Sequence, residues 1–246
     1  MKTSIRSFQI AFLFLVMLLQ SCGNKEPIDA SFLLNKVNES HQTSNLLGKK
    51  ITFTFREYQY SLERTKDHYI YTRTKDSIQD VLDSREGYQR LLHGQPIKIA
   101  DSMAVKYANS VNSVLYFFQL PYVLNDPAAQ LEYLGETTIK DSAYYTLKVT
   151  FSREQGGEDY EDEFRYWIHA EKFELDYFAY SYKTDGGGIR FREAIDQKRI
   201  EGILFQDYIN YKPSSLSVSL DSLPRLFETQ QLQKVSEIVN TNIEVY

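Results

Sequence analysis

One cysteine is all this chain has, and that scarcity already excludes several chemistries. A single thiol builds no internal disulfide, no Cys-x-x-Cys redox pair and no thiolate cage for zinc. Histidine is nearly as scarce. His41, His68, His93 and His169 stand far apart, without a His-x-x-x-His or His-Glu-x-x-His pair, so the helical zinc-site spacing is missing. There is no P-loop, no Gly-x-Gly-x-x-Gly turn and no Gly-x-Ser-x-Gly elbow. Six prolines and eleven glycines are too few for a collagen-like or low-complexity chain. Basic residues are outnumbered 28 to 33, a net charge of −5, which gives no general attraction to nucleic acid or to an anionic membrane surface. No cofactor and no metal is implied by any motif. A bilayer-spanning helix needs about 20 apolar residues, and no run reaches that length.

The run that comes nearest is at the N-terminus. Ile10 to Leu19 is apolar throughout and follows Lys2 and Arg6, the layout of an export signal with a positive n-region and a short h-region. It ends at Leu19-Gln20-Ser21-Cys22. This resembles a lipobox, with an aliphatic residue three before the cysteine and a small residue just before it. Gln20 stands where a small or aliphatic residue is usual. The lone cysteine supports the same reading, because a thioether to diacylglycerol uses up a thiol that has no partner. Residues 1–21 are thus expected to be a lipoprotein signal peptide, Cys22 the lipidated residue, and 22–28 a polar tether. The lipid, not a basic surface, would hold the protein at the membrane.

Beyond the tether, abundance replaces scarcity. Nineteen Tyr and fifteen Phe favour strands, where aromatic side chains fit a half-buried pleated surface. A helix is expected from Asp29, a possible N-cap, to Ser40, with Phe32, Leu33, Lys36 and Val37 on one face. Period-2 patterns follow. Ile51, Phe53 and Phe55 alternate with polar residues, and the strand is read as continuing through Tyr58 and Tyr60. After a polar turn at Glu63–Asp67 come Tyr69, Tyr71 and Arg73 on one face, then strands at Ile78–Asp83 and Tyr88–His93. Ala100 to Leu120 breaks the pattern. Met103, Tyr107, Val111, Val114, Leu115 and Phe118 fit a helix, which Pro121 cannot continue. The apolar stretch Leu115–Leu124 is read as a core helix or as a lid over an apolar cavity.

Strands then resume with Tyr145, Leu147, Val149 and Phe151. Phe164, Tyr166 and Ile168 alternate against Arg165, Trp167 and His169, and Leu175–Tyr182 follows. Asp185-Gly186-Gly187-Gly188 reads as a tight turn. Ile189–Ile195 and Ile203–Tyr211 are further strands, and Ile238–Val245 is expected to close the sheet. The fold class is mainly β (α+β): a single domain over 29–246, built as a large curved antiparallel sheet or incomplete barrel. The N-terminal and central helices cover its concave face.

Several segments together resemble an uncharacterised family of Gram-negative cell-envelope lipoproteins. They include Phe55-Arg56-Glu57-Tyr58, Leu120-Pro121-Tyr122-Val123-Leu124-Asn125-Asp126, Gly187-Gly188-Ile189-Arg190-Phe191-Arg192-Glu193-Ala194 and Asp207-Tyr208-Ile209-Asn210-Tyr211. The resemblance spans nearly the whole chain after the signal and implies no activity. More distantly, the order of elements is similar to the lipoprotein-carrier (LolA/LolB) fold, which implies helices over an apolar cavity that takes acyl chains.

Candidate site residues come from arginine and aromatic placement. Arg190 and Arg192 lie two apart on one strand and share a face, with Glu193 and Asp207 as possible neutralising partners. Arg56 and Tyr58 are read onto one face with Tyr60, and Tyr71 and Arg73 onto another that can lie on the same side. Arginine forks bind carboxylate or phosphate, and aromatic faces pack on acyl chains. Trp167 is expected in or beside the main cavity or core. These residues, with Asp207, are candidates for binding an amphipathic ligand with an anionic head, or for a structural arginine–carboxylate network. Two other readings stay open: a cell-envelope hydrolase using carboxylates such as Asp162 or Asp207, and a structural partner in envelope assembly. The acidic run Glu158–Glu163 is read as a solvated hairpin tip or a calcium loop.

Overall fold

The first helix starts where its cap allows. The computed structural model describes residues 27–152, 161–183 and 186–246, so the expected export signal, Cys22, Glu158–Tyr160 and Asp185 lie outside the described residues. In α1 (Ala30–His41) the Asp29 carboxylate accepts the N–H of Phe32 at 2.7 Å, filling one of the donors a helix start leaves open. Leu33, Val37 and His41 recur every fourth residue and form the buried stripe.

Six strands follow as sequential antiparallel neighbours: β1 (Lys50–Phe55), β2 (Tyr58–Arg64), β3 (Tyr69–Lys75), β4 (Ile78–Asp83), β5 (Gly87–Leu92) and the short β6 (Gln95–Pro96). The strand expected to run on through Tyr58 and Tyr60 instead reverses at Arg56-Glu57. Arg56 takes φ 55° and Phe55 faces Tyr58 across the hairpin. Nothing in the sequence marked this turn, because it uses neither glycine nor asparagine where positive φ is needed.

From β6 the chain continues as α2 (Asp101–Phe118), which buries Val111 and Leu115, and enters a second run of strands. These are β7 (Ala129–Ile139), β8 (Ser142–Phe151), β9 (Glu163–His169), β10 (Leu175–Tyr182), β11 (Gly188–Ile200) and β12 (Ile203–Lys212). A short helix, α3 (Leu223–Glu228), leads to β13 (Gln233–Ile238) and β14 (Asn240–Val245). The single closing strand expected at Ile238–Val245 is therefore a correction. The segment makes two strands, and they belong to different sheets. β13 pairs with β12, while β14 pairs with β1. Only Val239 separates them.

The result is mainly β: two antiparallel sheets, ordered β14-β1-β2-β3-β4-β5-β6 and β13-β12-β11-β10-β9-β8-β7, not closed into a barrel. The two edges away from the β13–β14 junction are managed. One is the two-residue β6 with Pro96, and the other is β7, whose register shifts between Tyr133 and Gly135.

The first two helices pack against the facing sides of the sheets. Leu33 and Val37 of α1 pack with Leu147, Tyr166 and Phe178 of the second sheet. Val111 and Leu115 of α2 pack with Phe53, Leu62 and Tyr71 of the first. At the end of α2, Phe118 stacks on Phe53 at 3.8 Å and Phe117 on Phe178 at 5.5 Å. Adjacent residues thus bond the helix to opposite sheets. Each large apolar side chain buried this way contributes about 1.5–3 kcal/mol. A third cluster lies on the other face of the second sheet, where Trp167, Tyr177 and Phe191 pack under Leu220 and Leu223. β9 is buried on both faces for this reason.

Candidate functional site

Where β13 gives way to β14, the two sheets part, and a partly open cavity of about 180 Å³ lies in the gap. Val114, Phe117 and Phe118 of α2 form one wall. Phe55 and the exposed Arg56, on the β1–β2 hairpin, stand at the rim. The strands of the second sheet supply the floor, and its composition follows from register. Tyr133, Leu147, Tyr166, Phe178, Arg192, Asn210 and Ser236 are direct cross-strand neighbours from β7 to β13. Opposite residues share a face, so this row changes from apolar to polar as it nears the seam. Arg192, Asn210 and Ser236 line the cavity; Asn240 of β14 completes the polar side.

Arg192 is the residue that stands out. It is 8% exposed. Its guanidinium lies 4.0 Å from the Phe117 ring centre, 5.2 Å from that of Phe178 and 5.4 Å from that of Tyr180. Its hydrogen bond runs from Nη2 to the Tyr180 hydroxyl at 3.0 Å, and Nε is buried without a partner. Among the described residues it forms no ion pair. Aromatic faces offset the loss of water by about 2 kcal/mol when a cation is desolvated. Leaving water costs such a charge several kcal/mol, so the cage does not balance it. Asn210 Oδ1 is buried and unpartnered as well. Burial also raises the pKa of Tyr208, which lines the same cavity and stays neutral.

The other arginines have different lives. Arg73 is held by Asp80, with Nη2 and Nε at 2.6 and 3.0 Å from one carboxylate oxygen, and donates to Ser110 Oγ at 2.7 Å. Arg90 grips the same carboxylate at 2.7 Å, and Tyr88 donates to it. Burial pushes the Asp80 pKa up, and bonds from Arg90, Tyr88 and Arg73 more than reverse this, so the carboxyl titrates below its ordinary value. Tyr60 faces Arg73 in the β2–β3 pairing, and the Arg73 guanidinium lies 5.0 Å from the Tyr58 ring centre. Tyr58 and Arg73 therefore do share a side, but as a braced network. Tyr71 is buried and accepts from Gln119 Nε2 at 2.8 Å and from Arg64. Arg190 donates to the Ile189 carbonyl at 2.9 Å and lies over Tyr182.

The suggested neutralising partners are engaged elsewhere, which corrects that expectation. Glu193 bonds Lys140 at 2.7 Å and accepts from Tyr211 at 3.1 Å. Asp207 accepts the Asn240 N–H at 2.8 Å and Lys198 Nζ at 3.0 Å. Trp167 is buried in the cluster under α3 and does not line the cavity. Glu163, which opens β9, pairs with Arg165 at 2.9 Å. Among the described residues no group of three or more His, Cys, Asp and Glu could hold a metal ion. No helix among them is long and apolar enough to cross a membrane.

Asn210, Ser236 and Phe117 belong to the site and were not singled out from sequence. Asn210 carried a usable signal: it is a polar residue at an inward position of an apolar strand. Ser236 carried none, since its place depends on β13 being a separate strand.

The DUF6503 profile, described as a family of unknown function, matches residues 9–240. The chain belongs to that family. No curated protein matches this DUF6503 chain by sequence. Among solved structures it is similar to a DUF1329 family protein from Desulfovibrio piger, with TM-score 0.53 and 9% identity over 87% of this chain and 92% of that one. A LolA superfamily protein from Nitrosomonas europaea aligns with TM-score 0.48 and 14% identity, over 89% and 94%. At such identities the first likeness is one of fold.

Proposed function

We propose that this DUF6503 protein is a cell-envelope lipoprotein, anchored through Cys22, that holds an anionic amphiphile in the cavity at the seam. The observation that carries the reading is Arg192: a buried guanidinium in an aromatic cage, without a carboxylate partner among the described residues, opening onto an apolar wall. An acid group would fill the open donor at Nε, and its chain would lie along Val114, Phe117 and Phe118. The cavity has room for about six waters at ~30 Å³ each. That suits a head group and its first carbons, with the rest of the chain leaving through the open side. Arg56 at the rim would draw the acid in.

The hydrolase reading lacks support. The oxygens of Asp207 are committed to Asn240 and Lys198, and no Asp, Glu or His among the described residues lines the cavity. Among the described residues the cavity holds no pair of carboxyls of the kind glycoside hydrolysis commonly uses.

Native mass spectrometry of protein extracted from membranes in non-ionic detergent tests the proposal. Its intact mass should show loss of residues 1–21 and gain of a diacylglyceryl group, and a second, non-covalent acidic lipid should be released on activation. A folded protein that carries no acidic lipid, and takes none up when acidic lipids are added, would overturn the binding role. A chain that starts elsewhere and is unmodified at Cys22 would overturn the anchor.

A further inference from the structure

Two residues that line the cavity on adjacent strands each carry a buried polar atom without a partner, and the two atoms ask for opposite things. Arg192 Nε–H needs an acceptor, and Asn210 Oδ1 needs a donor. The two residues are direct partners in the β11–β12 register, and each is 8% exposed. Asn210 Nδ2 is turned to Ser236 Oγ at 3.5 Å, and its carbonyl oxygen is left without a donor. A plain carboxylate is an acceptor only. It fills Nε and leaves Asn210 buried and unpaired, at the cost of that group's lost hydration.

We infer that the ligand's head carries a hydroxyl close to its acid group, the chemistry of a β-hydroxy fatty acid. The inference rests on the anionic-amphiphile reading and deepens it. The carboxylate takes the Arg192 donor and the hydroxyl donates to Asn210 Oδ1. Opposite residues on paired strands place their Cβ atoms about 4.5–5.5 Å apart. One short head group with a hydroxyl on the second carbon from its carboxylate can therefore meet both side chains. Phe117 and Val114 meet the chain beyond the hydroxyl. Arg192 thus selects acids, and Asn210 selects among acids.

A competition between two acids of equal chain length tests this. The full chain, stripped of bound lipid in non-ionic detergent, is given an equimolar mixture of hexadecanoate and its β-hydroxy derivative. Native mass spectrometry then reads the ratio of the two complexes. The expected preference is roughly five-fold for the hydroxy acid, the worth of one net hydrogen bond. In Asn210→Leu the ratio should fall to about one. Asn210→Ala serves if the leucine variant does not fold. Equal occupancy in the wild type overturns this inference and leaves the broader reading standing. A preference that survives in the Asn210 variants also overturns it, since another group would then read the hydroxyl. If neither acid binds, the anionic-amphiphile reading itself falls.

Discussion

Asp207 and Asn240 join the two sheets: the Oδ1 of Asp207, on β12, accepts the backbone N–H of Asn240, the first residue of β14, at 2.8 Å. The chain changes sheets at Val239, and a change of sheet interrupts the ladder that would have paired this N–H. The Asp207 side chain is 3% exposed, and its other oxygen is held by Lys198 at 3.0 Å. A residue read from sequence as a possible ligand or catalytic group is a fastener beside the cavity.

Removing it should therefore cost stability. Asp207→Ala leaves a buried N–H unpaired, and a loss of about 1–3 kcal/mol in urea unfolding is expected. Asp207→Asn keeps an acceptor oxygen and should lose less. Equal stability of the alanine variant and the wild type would show that the seam is held by other contacts.

The carboxylate between Arg73 and Arg90 is a second structural charge. Asp80→Ala strands two guanidiniums that are 8% and 14% exposed. Breaking a buried pair in this way costs roughly 3–5 kcal/mol. The folded-state pKa of Asp80 is lowered. Its contribution is present above the ordinary carboxyl range and is lost as pH falls below about 4. Thermal unfolding of the variant beside the wild type reads both effects.

His41 sets a milder acid limit. It is fully buried, and its Nε2 accepts the N–H of Leu175 at 3.0 Å. Burial, aided by the charge of Arg199, lowers its pKa to about 3. Between about 6.5 and 3 the unfolded chain binds a proton that the folded one refuses, so stability falls as pH drops through that window. His41→Gln keeps an acceptor and cannot titrate. Its melting temperature should vary less than that of the wild type between neutrality and mild acid. An unchanged slope would assign the acid sensitivity to other groups.

Trp167 makes a useful control. It packs on Phe191 at 5.6 Å in the cluster under Leu220 and Leu223, on the opposite face of the second sheet from Tyr166 and Phe178. Its fluorescence should be that of a buried indole and should not respond to bound lipid. Leu223→Ala, which opens that cluster, should shift it to the red. Quenching by a lipid tail would place the ligand on the wrong face for this account.

Much of the scaffold was legible because its elements carry their own period. The α1 cap at Asp29, the apolar face of α2 and the bounds of β4 and β10 could be read from residues alone. The β1–β2 reversal was hidden by a turn of Arg and Glu, and α3 has only six residues, too short for a periodic signal. β7 alternates apolar and polar residues, yet its glutamates and threonines diluted the pattern. The two-sheet split was illegible for a stronger reason: β14 finds its partner in β1, a pairing across almost the whole chain. Arg192 could be named from its strand, whereas its isolation from every described carboxylate needed three dimensions.

The central claim is that Arg192 is kept for a ligand and not for the fold, and Arg192→Leu tests it most directly. The wild type and the variant are extracted in the same detergent, and melting temperature and bound acidic lipid are measured on each. Replacing a buried cation that has no carboxylate partner among the described residues should leave the lipid-free protein as stable as the wild type, or more stable by on the order of 1–4 kcal/mol. Bound acidic lipid should disappear. A variant that melts well below the lipid-free wild type while retaining the lipid would contradict the account.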